Sequence, residues 1–451
     1  MSVFLQKIFH QCIEVAMHYA FHDEEYWSRE KIHHVQRIRL QATVERASCS
    51  PFYAQRFASI ALHLQDIRDV ADITRLPFTT KDDLRSAYPD RMLTMPRTQM
   101  VRLHASSGTT GAPTVIYYTD NDLNTWADLV ARCMHMTGIR KDDVFQNIAG
   151  YGLFTGGLGF HYGAERLGCL TIPAGAGNTK RQLKLLEDFR VTAVHIIPSY
   201  ALHLASSMEE MGFDPKRLAL RIALIGAEPH TEAMRRRIES FFGVRAYNSY
   251  GLSEMNGPGV AFECPEQSGM HLWEDAYLAE IVHPVTGEPV PEGEVGELVL
   301  TTLTREGMPL VRYRTRDLTR FLPGDCPCGR PHRRIDRITG RSDDMIILKG
   351  VNIYPMQVEN VLLNMPEVGE NYLIVLEREG HLDQMRVKVE IKDEFFVEDM
   401  RVLKGLQQRI AARLRDEILI TPRVDLVESN SLPKTEGKAV RVQDTRPKDD
   451  A

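Results

Sequence analysis

Four hydroxyl side chains and two glycines fall within eight consecutive positions, Ser106-Ser107-Gly108-Thr109-Thr110-Gly111-Ala112-Pro113, and the β-branched run Val115-Ile116 follows at once. A loop of this composition can wrap backbone N–H groups and hydroxyls around the oxygens of a phosphate chain. It lacks the Gly-Lys-Ser/Thr ending by which a Walker loop holds magnesium and the terminal phosphates. Triphosphate binding of another kind is the chemistry it suggests, with a polar surface turn as the ordinary alternative. A phosphotransferase releasing ADP is disfavoured by the same missing lysine. Glu254, in Asn248-Ser249-Tyr250-Gly251-Leu252-Ser253-Glu254, reads from that short pattern alone as a surface or helix-capping carboxylate. Asp317 follows Arg312, Arg314 and Arg316, and can accept two sugar hydroxyls or pair with one of those arginines. Lys438 closes Pro433-Lys434-Thr435-Glu436-Gly437-Lys438; Gly437 beside it and Leu432-Pro433 before it suggest a shaped loop rather than a solvated tail.

Seven cysteines are too few and too scattered for a disulfide scaffold in a chain of 451 residues. Cys326-Pro327-Cys328-Gly329 is nevertheless a tight pair of soft ligands, and Cys264 and His271 lie upstream. Three thiolates and one imidazole make a closed tetrahedral set of the kind that holds structural zinc. His332 competes as the fourth ligand. The alternative is two reduced cysteines on a turn, with Cys264 buried. A zinc site here would tie a strand-rich region to the Glu254 segment and serve stability rather than chemistry.

These residues need a scaffold, and the composition is that of a folded one: 43% hydrophobic and 26% charged. The net charge of −6 speaks against a nucleic-acid partner, which would demand a basic face. No apolar run reaches the ~18 residues that cross a bilayer. The opening Met1-Ser2-Val3-Phe4-Leu5-Gln6-Lys7 soon gives way to histidines and acids, unlike a secretory signal, so a cytoplasmic enzyme is expected. Helical spacing over Glu25 to Arg46 makes 1–100 a largely helical entry region. From Arg102 to Val260, buried strands such as 191–198 and 222–227 alternate with amphipathic helices such as Glu232 to Phe242, predicting mostly parallel sheets covered on both faces. Residues 279–340 read as a strand-rich subdomain. A boundary after Gly340-Arg341-Ser342 would divide an α/β domain, 1–342, from a small mobile α+β domain, 343–451.

Four segments follow the hydroxyl loop in order: Asn248 to Glu254, Arg312 to Asp317, Gly340-Arg341-Ser342-Asp343-Asp344, and Leu432 to Lys438. Together they resemble the core motifs of the adenylate-forming superfamily of acyl-CoA synthetases, adenylation domains and luciferases. Tyr151-Gly152-Leu153-Phe154-Thr155-Gly156-Gly157-Leu158-Gly159 and His161 to Arg166 resemble its phenylacetate–CoA ligase branch, and the likeness runs from about Phe52 to Val442.

The resemblance implies ATP, magnesium and coenzyme A as reactants and assigns roles. Ser106, Ser107, Gly108, Thr109, Thr110 and Gly111 would hold phosphates, with Thr109 and Thr110 catalytic. The backbone of Gly226, Ala227 and Glu228 would lie over adenine, Tyr250 would stack on it, and Asn248 would meet its amino group. Gly251 belongs to the same strand-end motif, Ser253 would contact phosphate, and Glu254 would hold magnesium. Asp317 and Arg341 would reach ribose or phosphate. Lys438 matches the adenylation lysine, with Lys434 as runner-up; Asp343 matches the hinge, and Lys349-Gly350 would enter for the thioester step. Tyr151, Phe154, Gly156, Gly157 and Gly159 would form an aryl pocket in which the glycines leave space for a flat ring.

The implied activity is AMP-forming ligation of an aryl acid, phenylacetate or a relative, to coenzyme A. Departures at Pro173 to Gly177 and Asp275 to Glu280 leave a hydroxylated or amino-substituted benzoate open. The alternatives are delivery of the acyl group to a carrier protein or release of the adenylate, and, from another class, a non-catalytic nucleotide-binding protein stabilised by zinc. A homodimer is left open.

Overall fold

The computed structural model describes residues 21–105, 113–153, 155–348, 351–379, 382–396, 400–429, 431–432 and 440–446. By contacts the chain divides into two units. The first is Met1–Ile196, Leu218–Ala227 and Arg245–Arg337; the second is Ile197–Arg217, Glu228–Val244 and Ile338–Ala451.

The first unit enters through helices Arg29–Ala47 and Pro51–Ser59. Each is started by a serine whose hydroxyl accepts an otherwise orphaned N–H, Ser28 from Lys31 and Ser50 from Tyr53. Leu40, Val44, Tyr53 and Phe57 bury their apolar faces against Leu278, Leu303 and Val311. Those three belong to the strand-rich region, where Tyr277–Val282, Gly296–Thr302 and Tyr313–Thr319 pair antiparallel.

The main sheet of the first unit has nine strands. One half is parallel, in the order Leu170–Ile172, Val144–Asn147, Ala193–Ile196, Ile222–Gly226, Arg245–Leu252. A helix lies between each successive pair along the chain, as parallel pairing requires. The other half, Gly257–Glu263, Met270–Leu272, Arg334–Ile335 and Phe321–Leu322, is antiparallel. The expected mostly parallel arrangement thus holds for one half only, because after Leu252 the chain reverses in a short turn with no room for a crossover helix.

In the second unit, strands Arg423–Val427, Leu382–Ile391, Val368–Glu379 and Val442–Asp444 form a sheet in that order. Helices Pro355–Leu363 and Met400–Ile418 share its core with Ile374, Val387 and Val389. Helix Glu232–Phe242 of this unit starts at Thr231, whose hydroxyl accepts from the Met234 N–H, and stops at Gly243, where φ is +67°. Among the described residues no helix is long and apolar enough to cross a membrane.

His195 lies in the parallel half, fully buried, its ring stacked on Phe160 at 3.8 Å. Asn147 donates from Nδ2 to the Gly157 carbonyl at 2.6 Å and the Tyr151 hydroxyl at 3.0 Å. Its Oδ1 is therefore the acceptor 3.1 Å from His195 Nδ1, which makes the imidazole the donor. Burial pushes the His195 pKa down to about 3. As pH falls through the ordinary value near 6.5, the unfolded chain binds a proton that the folded ring refuses. This contribution is complete above about pH 6.5 and declines below it, by about 2 kcal/mol at pH 5. His195→Gln should flatten the difference in unfolding free energy between pH 7 and pH 5 by about that amount. An undiminished difference in the variant would mean that the histidine titrates in the fold as it does outside it.

Candidate functional site

Strand Arg245–Leu252 runs through the middle of the main sheet and is buried from Ala246 to Tyr250. It ends in the tight helical turn Ser253–Met255, and Gly257–Glu263 returns beside it. The reversal demands small residues: a Cβ on Gly251 would stand 1.7 Å from the Gly257 carbonyl oxygen. Asn256 (φ +72°) and Gly257 (φ +73°) complete the bend in the left-handed region.

Three buried donors hold successive carbonyls of this turn. Tyr118 donates to Ser253 O at 3.3 Å, Arg305 Nη1 to Glu254 O at 2.7 Å, and Tyr277 to Met255 O at 3.0 Å. Arg305 Nη2 also donates to Asn256 Oδ1. Burial raises the pKa of both tyrosines, which therefore stay protonated donors. The Glu254 carboxylate is buried as well, and its Oε1 accepts from the Tyr313 hydroxyl at 3.1 Å. Sequence reasoning found Glu254 but missed Arg305, Tyr118 and Tyr277. An arginine inside the Gly/Pro-punctuated stretch after Thr302 carries no local pattern that marks it as buried.

Beside the turn, the Tyr250 hydroxyl donates to Asp317 Oδ2 at 2.6 Å. The arginines preceding Asp317 are engaged elsewhere: Arg312 with Glu280 at 2.7 Å, Arg314 with Glu297 at 2.6 Å, and Arg316 with Glu297 at 3.6 Å. On the neighbouring parallel strand, a Cβ on Gly226 would meet the Ser249 carbonyl oxygen at 2.3 Å, and Ala227 leaves the strand at φ +69°. Asn248 is fixed through its N–H, which donates to the buried Glu263 at 2.8 Å. Gly226, Ala227, Asn248, Tyr250, Gly251, Ser253 and Glu254 thus gather at the carboxyl ends of two parallel strands, with Asp317 joined to them through Tyr250. Open α/β sheets bind ligands at that end.

In the second unit, Glu228 accepts from the Ser199 N–H at 2.7 Å. Arg341 grips Asp343 through two bonds of 2.9 Å. Ser106, Ser107, Gly108, Thr109, Thr110, Gly111, Phe154, Lys349, Gly350, Lys434 and Lys438 lie outside the described residues. The strands that bracket the hydroxyl loop pair antiparallel, with Ala105 opposite Val115. Before Lys438, the Leu432 N–H donates to the buried Glu390 at 2.9 Å; after it, the Arg441 carbonyl accepts from Ile374 at 2.9 Å.

The glycine-rich helix Thr155–Leu167 corrects one expectation. The space beside Gly157 is taken by the Gly150 carbonyl at 2.5 Å, and that beside Gly159 by Pro258 and Trp126 at 2.5 and 2.6 Å. These glycines admit the protein's own atoms rather than leaving room for a ring. Beside Gly156 nothing lies within 4 Å. The Tyr151 hydroxyl accepts from Asn147 and stands 3.4 Å from His161 Nδ1.

Cys264, His271, Cys326 and Cys328 converge, with all their ligand atoms within 4.8 Å of one another. Cys264 and Cys326 sulfurs are 3.6 Å apart, and Cys328 Sγ is 3.3 Å from His271 Nε2. His271 Nδ1 donates to the His332 carbonyl at 3.1 Å, so its Nε2 lone pair faces the sulfurs. His332 cannot serve as the competing ligand. Its Nδ1 accepts from the Glu274 N–H at 3.2 Å and its Nε2 donates to the Glu24 carbonyl at 2.8 Å.

An α/β sheet with a buried carboxylate-bearing turn at its strand ends is a place where such folds bind ligands. Residues 28–303 match the family model of AMP-binding enzymes, and 350–446 match that of the AMP-binding enzyme C-terminal domain. The chain belongs to this family and to the adenylate-forming superfamily. It is 49% identical to a phenylacetate-coenzyme A ligase of Pseudomonas putida, covering 88% of this chain and 90% of that protein. It is 46% identical to a phenylacetate-coenzyme A ligase of Thermus thermophilus, covering 93% and 97%. A crystal structure of a 2-hydroxyisobutyryl-CoA ligase in the postadenylation state, in complex with R3-HIB-AMP, superposes with a TM-score of 0.87 at 28% identity, covering 93% of this chain and 91% of that one.

Proposed function

We propose that this protein is an AMP-forming ligase that joins phenylacetate, or a closely related aryl carboxylate, to coenzyme A. The observation that carries the reading is the strand-end site, in which Tyr250, Asp317 and the clamped Glu254 turn stand together, in a chain nearly half identical to phenylacetate-coenzyme A ligases. A carboxylate is a poor electrophile. Its oxygen attacks the α-phosphorus of ATP, the bond to pyrophosphate breaks, and the acid becomes an acyl-adenylate. The coenzyme A thiol then attacks the acyl carbon, loses its proton, and AMP leaves.

Negative charge gathers at the α-phosphate and pyrophosphate in the first step, so fixed positive charge and donors there lower the barrier. Tyr250 would stack on adenine, the Gly226-Ala227-Glu228 backbone would cover it, Asn248 would read its amino group, and Asp317 would accept the ribose hydroxyls. Ser253 and the loop Ser106 to Gly111 would bind phosphate, with Arg341 adding a ribose or phosphate contact. Glu254 is the residue that would hold magnesium, which when bound neutralises phosphate charge. Lys438 would bridge carboxylate and α-phosphate. Tyr151, Phe154 and Gly156 would face the aryl ring. Asp343, in an exposed pair with Arg341 of the kind that breaks at little cost, suits a hinge that withdraws Lys438 and brings in Lys349-Gly350 for the thioester step.

With ATP, magnesium, coenzyme A and phenylacetate, the products should be AMP, pyrophosphate and the thioester. ADP with orthophosphate would defeat the proposal, and pyrophosphate release that ignores coenzyme A would redirect it to another acceptor. Lys438→Ala should slow adenylation on the order of 10²-fold or more, because its charge acts at the transition state. Thioester formation from preformed acyl-adenylate should survive; equal loss in both steps would contradict domain alternation.

The Cys264, His271, Cys326, Cys328 cluster has the donor chemistry of a closed structural zinc site. Its mutual distances and the carbonyl that orients His271 support that use. Protein purified without chelator or metal-affinity tag should carry about one zinc per chain. Cys328→Ser should lose the metal and melt several degrees lower, yet keep a near-normal adenylation rate while folded. Full zinc retention in that variant would rule out this ligand set.

A further inference from the structure

Asp317 sits in an irregular stretch. Strand Gly296–Thr302 pairs Glu297 with Leu318 and Val299 with Arg314, so two residues on one strand face four-residue spacing on the other. The excess is a bulge, the device by which a strand re-aims a side chain. Within it Arg316, immediately before Asp317, has φ +68°. That left-handed conformation is unfavourable for an arginine and persists only where its surroundings impose it.

Against this stretch lies Glu297, whose side chain is wholly buried. Its Oε1 accepts from the Arg316 N–H at 3.2 Å and from Arg314 Nε at 3.1 Å, and its Oε2 accepts from Arg314 Nη2 at 2.6 Å. Thr315 closes the bulge: its hydroxyl donates to Leu298 O at 2.7 Å and accepts from the Asp317 N–H at 3.1 Å. Asp317 emerges with its carboxylate against the Tyr250 hydroxyl.

We infer that Glu297 is a positioning residue for nucleotide recognition: by gripping the Arg316 amide it holds open the bulge that aims Asp317 at the ribose. The inference rests on the reading of Asp317 as ribose acceptor. It differs from the usual account of a buried Glu–Arg pair as a mere sheet fastener, because it predicts an effect on sugar selectivity.

The test compares kcat/KM for ATP and 2′-deoxy-ATP in the full-length enzyme with phenylacetate and coenzyme A. The wild type should favour ATP about tenfold or more, the scale of one hydrogen bond to a charged acceptor. Glu297→Leu, which removes both acceptor oxygens, should cut that preference to about threefold or less, through KM for ATP, with KM for the acid unchanged. Should that variant not fold, the half-exposed Arg316 supplies a second pair. Arg316→Asn tolerates the left-handed backbone and should keep the preference, while Arg316→Val does not tolerate it and should lose it. Full preference in Glu297→Leu, or in Arg316→Val when the first does not fold, would overturn the inference, whatever happens to Tm. Asp317→Asn is the control: a preference unchanged there would mean that the ribose role of Asp317 itself is wrong.

Discussion

The site depends on one buried cation beneath one turn. Arg305 is 1% exposed, and its partners among the described residues are oxygens of the chain: Glu254 O, Met308 O and Asn256 Oδ1. A guanidinium taken out of water is costly unless its donors are met. The turn Ser253–Asn256 meets both terminal nitrogens, through Glu254 O and Asn256 Oδ1, while Nε stays without a hydrogen-bond partner among the described residues; in return two oxygens of the turn find a charged donor. Each is the condition for the other. The left-handed Asn256 and the glycines at 251 and 257 are what let the chain present those oxygens in so few residues.

The same logic of buried charge met by backbone recurs at Glu297 and Glu263. Glu297 receives an amide and two arginines; Glu263 receives the Asn248 amide. Both carboxylates lie under residues assigned to nucleotide recognition rather than among them. Charge-assisted bonds to main-chain N–H groups fix backbone position more tightly than apolar packing does, since they specify direction as well as distance. A site proposed to distinguish ribose hydroxyls would gain from scaffolding of this kind.

This division explains what the sequence made legible. Asn248 to Glu254, Asp317 and the cysteine pair stood out because their chemistry is written in short stretches: a turn after an apolar strand, a carboxylate behind arginines, two thiols around a proline. The parallel strands and their helices were readable for the same reason, since hydrophobic periodicity is local. Arg305, Tyr118, Tyr277 and Glu297 were not. Each acts on a segment 15 or more residues away, as Arg305 does on Glu254 across 51 positions and Tyr118 on Ser253 across 135, and nothing in its own neighbourhood records the partner. The choice between His271 and His332 was likewise tertiary, decided by which ring had a nitrogen left to face the sulfurs.

The cysteine cluster belongs to the same construction. Strand Gly257–Glu263 leaves the Glu254 turn at one end and reaches Cys264 at the other. Its near end is held by Arg305 and Tyr277 through the turn, and its far end by whatever holds Cys264. Around the cluster, Glu25 and Arg330 form a wholly buried ion pair that brings the chain's early residues beside Cys328, and His332 bonds to Glu24. A zinc cross-link at Cys264, as proposed, would fix one end of the strand that leaves the Glu254 turn at its other end. Loss of that cross-link would loosen the strand from its far end, while Arg305 continues to hold the turn. On that proposal stability and rate would be separable, because the two anchors would be at opposite ends of one strand.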